Sequence, residues 1–257
     1  MTFSEQIVYA MFKPSRYKEM VNLKTGRSVL FIVVMMLVLG IVSFLVPTGA
    51  YITGFGGFET LFTERMGTME YKDGELSIDR PFEMSYDYNN ILIDTSVESI
   101  TNEMMDKDGA YMAVGSKTLR MTFAYDGEVI DYMTVPLDTL IEEGFTNESL
   151  CDIIPNIYAY LVLVFVLTSI GYFIKYAVIA LILSIFYNSL NKQFEFGLSY
   201  GQVFMVCFYG QTFGYILSNF NAALGLLPQL LVSSVSIFIS IHMITYSAAL
   251  MKSDKQV

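Results

Sequence analysis

The chain has 257 residues, 54% of them hydrophobic, with a formal net charge of −10, one His, two Cys and no Trp. Such a balance excludes a nucleic-acid binder, which needs a basic patch, and a small domain stapled by disulfides or a Cys/His metal site. The charge is unevenly placed: residues 47–152 hold 21 Asp and Glu against 6 Lys and Arg, a net of −15, while the rest of the chain is net +5. An acidic, water-soluble insert therefore lies between apolar runs with basic flanks.

Taken in order, Phe3, Ile7, Val8, Met11 and Phe12 recur at helical spacing among Glu5, Lys13, Arg16 and Lys18. This predicts a helix broken near Pro14, lying in the membrane interface or packed on the inner side of a bundle. Residues 29–46 are 18 uncharged residues, roughly 27 Å of helix against a hydrocarbon core of about 30 Å, which predicts a first transmembrane span. The run is longer than a signal-peptide core, so it reads as an uncleaved anchor. Lys13, Arg16, Lys18, Lys24 and Arg27 precede it and place the amino terminus in the cytoplasm.

The insert, residues 47–153, then lies outside, and its pattern is β-rich α+β. Residues 67–72 and 75–78 flank Asp73-Gly74, and 119–125 and 129–135 flank Asp126-Gly127, two hairpin signatures. Residues 91–93 and 110–114 are further strands, with short helices expected at 97–105 and 137–144. Asp106-Lys-Asp108-Gly109 has part of a calcium-loop pattern but lacks its closing Glu, so a turn is expected there. Asn147-Glu-Ser149 fits the glycosylation pattern.

Residues 157–190 would span roughly 50 Å as one helix. Reading them as one element gives four spans and leaves Lys192, Lys252 and Lys255 beside the basic amino terminus; five spans would need a turn at 171–176, which has no Pro, Asn or Asp. Four are favoured over five. The third span, 200–220, carries Gln202, Gln211, Tyr215 and Asn219, the last three at i, i+4 and i+8, a polar stripe that must face protein or a wet cavity. It reads as interhelical glue or as a solute or lipid pathway. The fourth, 227–250, has Ser233, Ser236, Ser240 and Ser247 near one face, a packing pattern, and Lys175 and His242 are isolated ionisable groups. Lys175 is expected to snorkel to the inner interface. The sequence has no phosphate loop, nucleophile elbow or zinc-protease motif, and no cofactor or metal is expected.

Phe12-Lys-Pro14-Ser-Arg-Tyr17, the first apolar run, Ile91-Leu-Ile-Asp94-Thr95, the strand pair around 111–121 and Ser199-Tyr-Gly-Gln202 resemble a bacterial membrane family catalogued as domain of unknown function 1189. The resemblance covers nearly the whole chain. It implies an integral plasma-membrane protein with an external domain after the first span, and a link to maltodextrin utilisation. It implies no catalytic residues; Asp94 and Thr95 match its most recognisable motif and otherwise read as a strand end with an Asx or Thr turn.

The sequence thus points to a membrane α-helical bundle with an inserted extracytoplasmic β-rich α+β domain. A non-enzymatic accessory, scaffold or sensor protein is expected, its external domain meeting an envelope protein or glycan. The alternative is a small transporter or channel subunit built on the polar stripe. A membrane enzyme using Asp94 as acid or base is the weakest reading, because no second group is at hand for proton transfer.

Overall fold

The structure is a computed structural model, and it describes all residues except 87, 88, 109, 126, 127, 194, 196 and 254–257. The chain divides into two compact units, Met1–Ala50 with Leu161–Val257, and Tyr51–Tyr160.

Helix α1 (Phe3–Phe12) starts on a capping box in which Thr2 and Glu5 exchange hydrogen bonds. It stops before Pro14, which opens a 3₁₀ turn (Pro14–Arg16), and α2 (Tyr17–Val21) follows. The face of α1 carrying Gln6 and Ala10 is buried, and the Tyr17 hydroxyl donates to the Ala10 carbonyl at 2.7 Å. Val8 and Phe12 stay exposed. α3 (Thr25–Gly40), a π-helical segment (Ile41–Leu45) and α4 (Val46–Gly54) form one continuous helix. The first apolar run therefore extends past Pro47. Proline lacks the N–H that would bond the carbonyl four residues earlier, and the wider π turn falls at that point.

The second unit opens with α5 (Phe58–Thr60) and a π turn (Leu61–Arg65). β1 (Met69–Lys72) and β2 (Glu75–Ile78) pair antiparallel across Asp73-Gly74, whose positive φ angles of 53° and 80° are those of the expected tight turn. A second sheet has the order β3 (Phe82–Tyr86), β4 (Asn89–Ile93), β5 (Ala110–Val114), β6 (Thr118–Tyr125), β7 (Glu128–Pro136). All neighbours are antiparallel except β4 and β5. That parallel pair needs a crossover, supplied by α6 (Asn102–Asp108).

The expected helix at 97–105 thus begins later, because 95–99 is turn and bend: Ser116 and Lys117 donate backbone N–H to the Val97 and Glu98 carbonyls, which a helix there would use. Asp106 and Asp108 are helical rather than in a turn. The expected turns at Gly109 and Asp126-Gly127 lie outside the described residues. The helix expected at 137–144 shrinks to a 3₁₀ turn (Leu137–Thr139), and the helix comes later, as α7 (Asn147–Asp152). Asn147 is not a free glycosylation acceptor: its amide donates to the Phe62 and Gly67 carbonyls at 2.6 and 2.7 Å and its oxygen accepts from Met69 N at 2.7 Å. One apolar cluster joins Phe55, Leu61, Phe62 and Met66 to Tyr71, Leu76, Ile93, Val114 and Leu137. A smaller one seats Ile100 and Met105 on Ala113.

α8 (Ile154–Gln193) is 40 residues without interruption, so no turn occurs at 171–176. α9 (Tyr200–Gly210) and α10 (Thr212–Leu224) replace the single helix expected at 200–220, with a break at Gln211. The break is slight, since Gln211 N still bonds the Cys207 carbonyl and Tyr215 N the Gln211 carbonyl. α11 (Gln229–Ser253) completes the chain. Three helical stretches, Gly26–Gly54, Asn147–Gln193 and Gln229–Met251, are long and apolar enough to cross a membrane.

Burial in the helical unit is inverted. Leu230, Phe238, Phe186 and Val162 are 60% exposed or more, while Gln6, Ser169, Ser184, Thr212, Asn221 and Ser247 are buried. A protein folded against water does the opposite.

Replacing Asn147 by Ala removes three hydrogen bonds at a half-buried site and is expected to destabilise the unit around it by about 2–4 kcal/mol. Urea titration of the full chain, followed by hydrogen exchange at 62–78, measures this; an unchanged midpoint refutes the anchoring role. Lys117 bridges Glu75 and Glu98 at 3.0 and 3.1 Å, and these bonds raise its ammonium above the ordinary lysine value of 10.5. A raised value stabilises fully below the unfolded pKa and is lost as pH climbs through the folded one. The small difference in melting midpoint between wild type and Lys117→Met should therefore hold through neutral pH and close above about 10.5; a difference that persists at high pH is not electrostatic.

Candidate functional site

The polar residues singled out in the sequence fall in three separate places. Asp94 follows β4 directly, and its carboxylate accepts from Ser96 N at 3.0 Å and Ser96 Oγ at 2.6 Å, an Asx turn. Thr95 Oγ1 accepts from Ile78 N at 3.2 Å and ties the end of β2 to the same turn. Gln202 belongs to the start of α9: its Oε1 accepts from Ser199 N at 3.0 Å, completing a capping box. Only Gln211, Tyr215 and Asn219 share a concavity.

That concavity is a cavity of about 340 Å³ between α8, α10 and α11, near the lower end of the about 300–1,000 Å³ usual for small-molecule sites. α8 contributes Tyr172, Lys175, Ile179 and Leu183, at the three- and four-residue steps that put side chains on one helical face. Gln211, at the break, and Tyr215, Ser218 and Asn219 of α10 contribute by the same spacing, and α11 contributes Gln229, Ser233, Ser236 and Ser240. The apolar part of the wall is formed mainly by Ile179, Leu183, Ile237 and Ile241.

Tyr176 fixes this geometry. Its hydroxyl donates to the Phe208 carbonyl at 2.6 Å and meets Thr212 Oγ1 at 2.7 Å, and its own carbonyl accepts Gln211 Nε2 at 2.8 Å. The Tyr215 hydroxyl donates to the Tyr172 carbonyl at 3.3 Å, and Asn219 Nδ2 to the Tyr215 carbonyl at 2.7 Å. So the stripe does hold helices together. Yet Gln211, only 2% exposed, has no partner for Oε1, and Ser236, 6% exposed, has none for Oγ. Buried polar atoms without partners lose stability that a bound molecule or water can restore.

Gly214 sets how closely α10 and α11 approach. A Cβ there would stand 2.4 Å from the Ser236 carbonyl oxygen and 2.7 Å from Ser240 Oγ, the close contact that small residues allow between helices. The serine stripe on α11 thus packs at Ser240, which donates to the Ser236 carbonyl at 2.8 Å, and lines the cavity at Ser233 and Ser236. His242 is exposed and stacks on Tyr246. Among the described residues no three His, Cys, Asp or Glu groups gather as metal ligands.

Sequence reasoning found the α10 stripe but not Tyr172, Ser218 or Gln229, nor the cavity-facing role of Lys175. The available signal was the stripe Tyr172, Lys175, Ile179, Leu183 on α8, a polar start to an otherwise apolar face.

Residues 5–250 match the model of the family described as Protein of unknown function (DUF1189). The chain is a member of that family. No curated protein and no solved structure matches it.

Gly214→Ala should force α10 and α11 apart and destabilise the helical unit by about 1–3 kcal/mol. Gly201→Ala, where a Cβ meets nothing within 4 Å, should leave it nearly unchanged. Denaturation of the two variants in micelles compares them, and equal midpoints would refute the close-packing role of Gly214.

Proposed function

We propose that the chain is an integral membrane protein of the bacterial plasma membrane, non-enzymatic, whose helical unit receives a small polar solute in the α8–α10–α11 cavity. The observation that carries this reading is the cavity of about 340 Å³ itself, walled by Gln211, Tyr215, Ser218, Asn219, Gln229 and Ser233 inside a unit whose outer faces are apolar. The exposed apolar faces of Gly26–Gly54, Asn147–Gln193 and Gln229–Met251 support the membrane setting, because hydrocarbon is the medium that solvates them. Four crossings follow if α9 and α10 together make the third. The amino terminus then lies in the cytoplasm with its five bases, and the acidic unit lies outside.

A non-enzymatic role fits the state of the family motif, in which the Asp94 carboxylate and the Thr95 hydroxyl both close a turn. In this reading the solute binder works beside an uptake system, taking up the link to maltodextrin utilisation that the resemblance implies, and an envelope protein or glycan is the partner of the outer unit.

Two measurements test the proposal. In a cysteine-free background, membrane-impermeant maleimide applied to intact cells should label Ser77→Cys and spare Ser189→Cys; the reverse pattern overturns the orientation. The chain contains no Trp, so Ile179→Trp is a unique reporter inside the cavity. Aqueous acrylamide should quench it; quenching by brominated lipid alone means the cavity holds hydrocarbon and sinks the solute reading.

A further inference from the structure

The register of the five-stranded sheet aligns Met84 with Ile91, Ile91 with Met112, Met112 with Met121 and Met121 with Met133. Side chains directly opposite one another share a face, with Cβ atoms about 4.5–5.5 Å apart in antiparallel pairs. One row therefore crosses all five strands, and four of its five positions are Met in a chain with 16 Met among 257 residues. Composition alone does not produce that alignment. Met112, Met121 and Met133 occupy three adjacent strands, β5, β6 and β7, all paired antiparallel.

Two residues along each strand, the register sets Phe82, Ile93, Val114, Leu119 and Val135 in a second row on the same face. The first four of these belong to the main apolar cluster of the unit, so the core covers that row. The methionine row is less covered. Met112 and Met121 are half-buried and Met133 is 39% exposed, and among the described residues neither apolar cluster of the unit takes in any of the three. The charge on these strands is sorted by face as well. Arg120 alternates to the other face, where it donates to the Ile100 carbonyl at 3.2 Å and lies over the Tyr132 ring. Asp131, aligned with Phe123 and two residues from Met133, shares the face of the methionines. Leu or Ile would close the margin of a core as well as Met does. What Met adds is a polarizable sulfur on a flexible, unbranched chain.

We propose that Met112, Met121 and Met133 form a three-thioether site for a soft monovalent cation, Cu(I) being the ion of that class. Thioethers select Cu(I), whereas Zn(II) takes thiolate, imidazole and carboxylate and Ca(II) takes oxygen. Among the described residues no three His, Cys, Asp or Glu gather to serve those harder ions. Met121 is the central ligand, and the long side chains of Met112 and Met133 reach it from either side. Three neutral sulfurs leave the positive charge of the ion uncompensated, and Asp131 supplies a negative charge on the same face. Binding involves no change in the oxidation state of the ion. The site lies wholly in the sheet and is independent of the cavity in the helical unit.

The test uses the full chain in micelles and chloride-free buffer, with Cys151→Ser and Cys207→Ser in the background because thiolates also bind soft ions. Ag(I) serves as the probe, a stand-in for Cu(I) that air does not oxidise, and the methionine methyl groups are labelled with carbon-13. One Ag(I) per chain should bind saturably and move the methyl resonances of Met112, Met121 and Met133 together. Met121→Leu, a change that conserves volume, should weaken binding about tenfold or more. The combination of Met112→Leu, Met121→Leu and Met133→Leu should abolish it. Met104→Leu, on α6, should leave it unchanged, and excess Zn(II) should not displace the ion. Absence of saturable binding overturns the site, as does equal affinity in Met121→Leu and its parent, displacement by Zn(II), or a response confined to other methionines. Where the triple variant fails to fold, Met121→Leu alone decides.

Discussion

The contacts of Tyr176 hold the helical unit in its observed form. Its hydroxyl reaches across to α9 and α10, and its backbone carbonyl takes the Gln211 amide, so one turn of α8 is pinned where the two helices meet. Tyr176 also stacks edge-on against Phe208 and Tyr215, with centroids 4.5 and 4.9 Å away, an arrangement that adds to its burial. Phe208 in turn meets Phe31 of α3, and Tyr209 receives Gln6 of α1 at 3.1 Å. The amino-terminal helix and the first long helix are therefore held through the same pivot. The break at Gln211 follows, because its side chain is drawn to α8 while Gly210 and Gly214 bring the backbone close to α11.

Polar and apolar groups exchange their usual places in this unit. Hydroxyls and amides on α8, α10 and α11 bond backbone carbonyls of neighbouring helices or of their own preceding turn, as with Ser240 to Ser236 and Tyr187 to Ile241. Most of the large side chains left on the surface are Leu, Ile, Val and Phe. Between Tyr51 and Tyr160 the ordinary rule returns: Met69, Tyr71 and Leu76 are buried, and most of the 21 acids of residues 47–152 stand in water. One chain therefore obeys two solvents, and a residue such as Ser has opposite meanings in its two parts.

Much of this was legible before the structure. Asp73-Gly74 marked its turn because few sequences supply two positive φ angles in a row, and in the run at 157–190 the candidate turn at 171–176 had Gly171 but no Pro, Asn or Asp, while the positive charges favoured one element. The misread segments share a cause. Residues 97–101 and 140–144 have helix-compatible composition, but their backbone groups serve long-range partners: the Val97 and Glu98 carbonyls bond Ser116 and Lys117, and Tyr71 exchanges backbone bonds with Gly144 and Phe145. Tertiary pairing of that kind leaves no local periodicity. β3 was missed because its five residues form an edge strand next to residues that carry no strand signal of their own. The parallel pairing of β4 and β5 was equally hidden, since a helix between two strands is needed for it but does not announce it.

The stripe Gln211, Tyr215, Asn219 shows why periodicity alone could not separate glue from site. All three recur on one face, and all three line the same cavity. The separation comes only from counting what each atom does. Tyr215 and Asn219 each donate a hydrogen bond, to the carbonyls of Tyr172 and Tyr215, so they hold α10 in place. Gln211 gives its nitrogen to Tyr176 and keeps an oxygen idle in a place closed to bulk water, as Ser236 does with its hydroxyl. Ser43 and Ser169 keep idle hydroxyls elsewhere in the same unit, so idle atoms alone do not mark a site; what sets Gln211 and Ser236 apart is that both residues belong to the wall of one cavity, with Lys175.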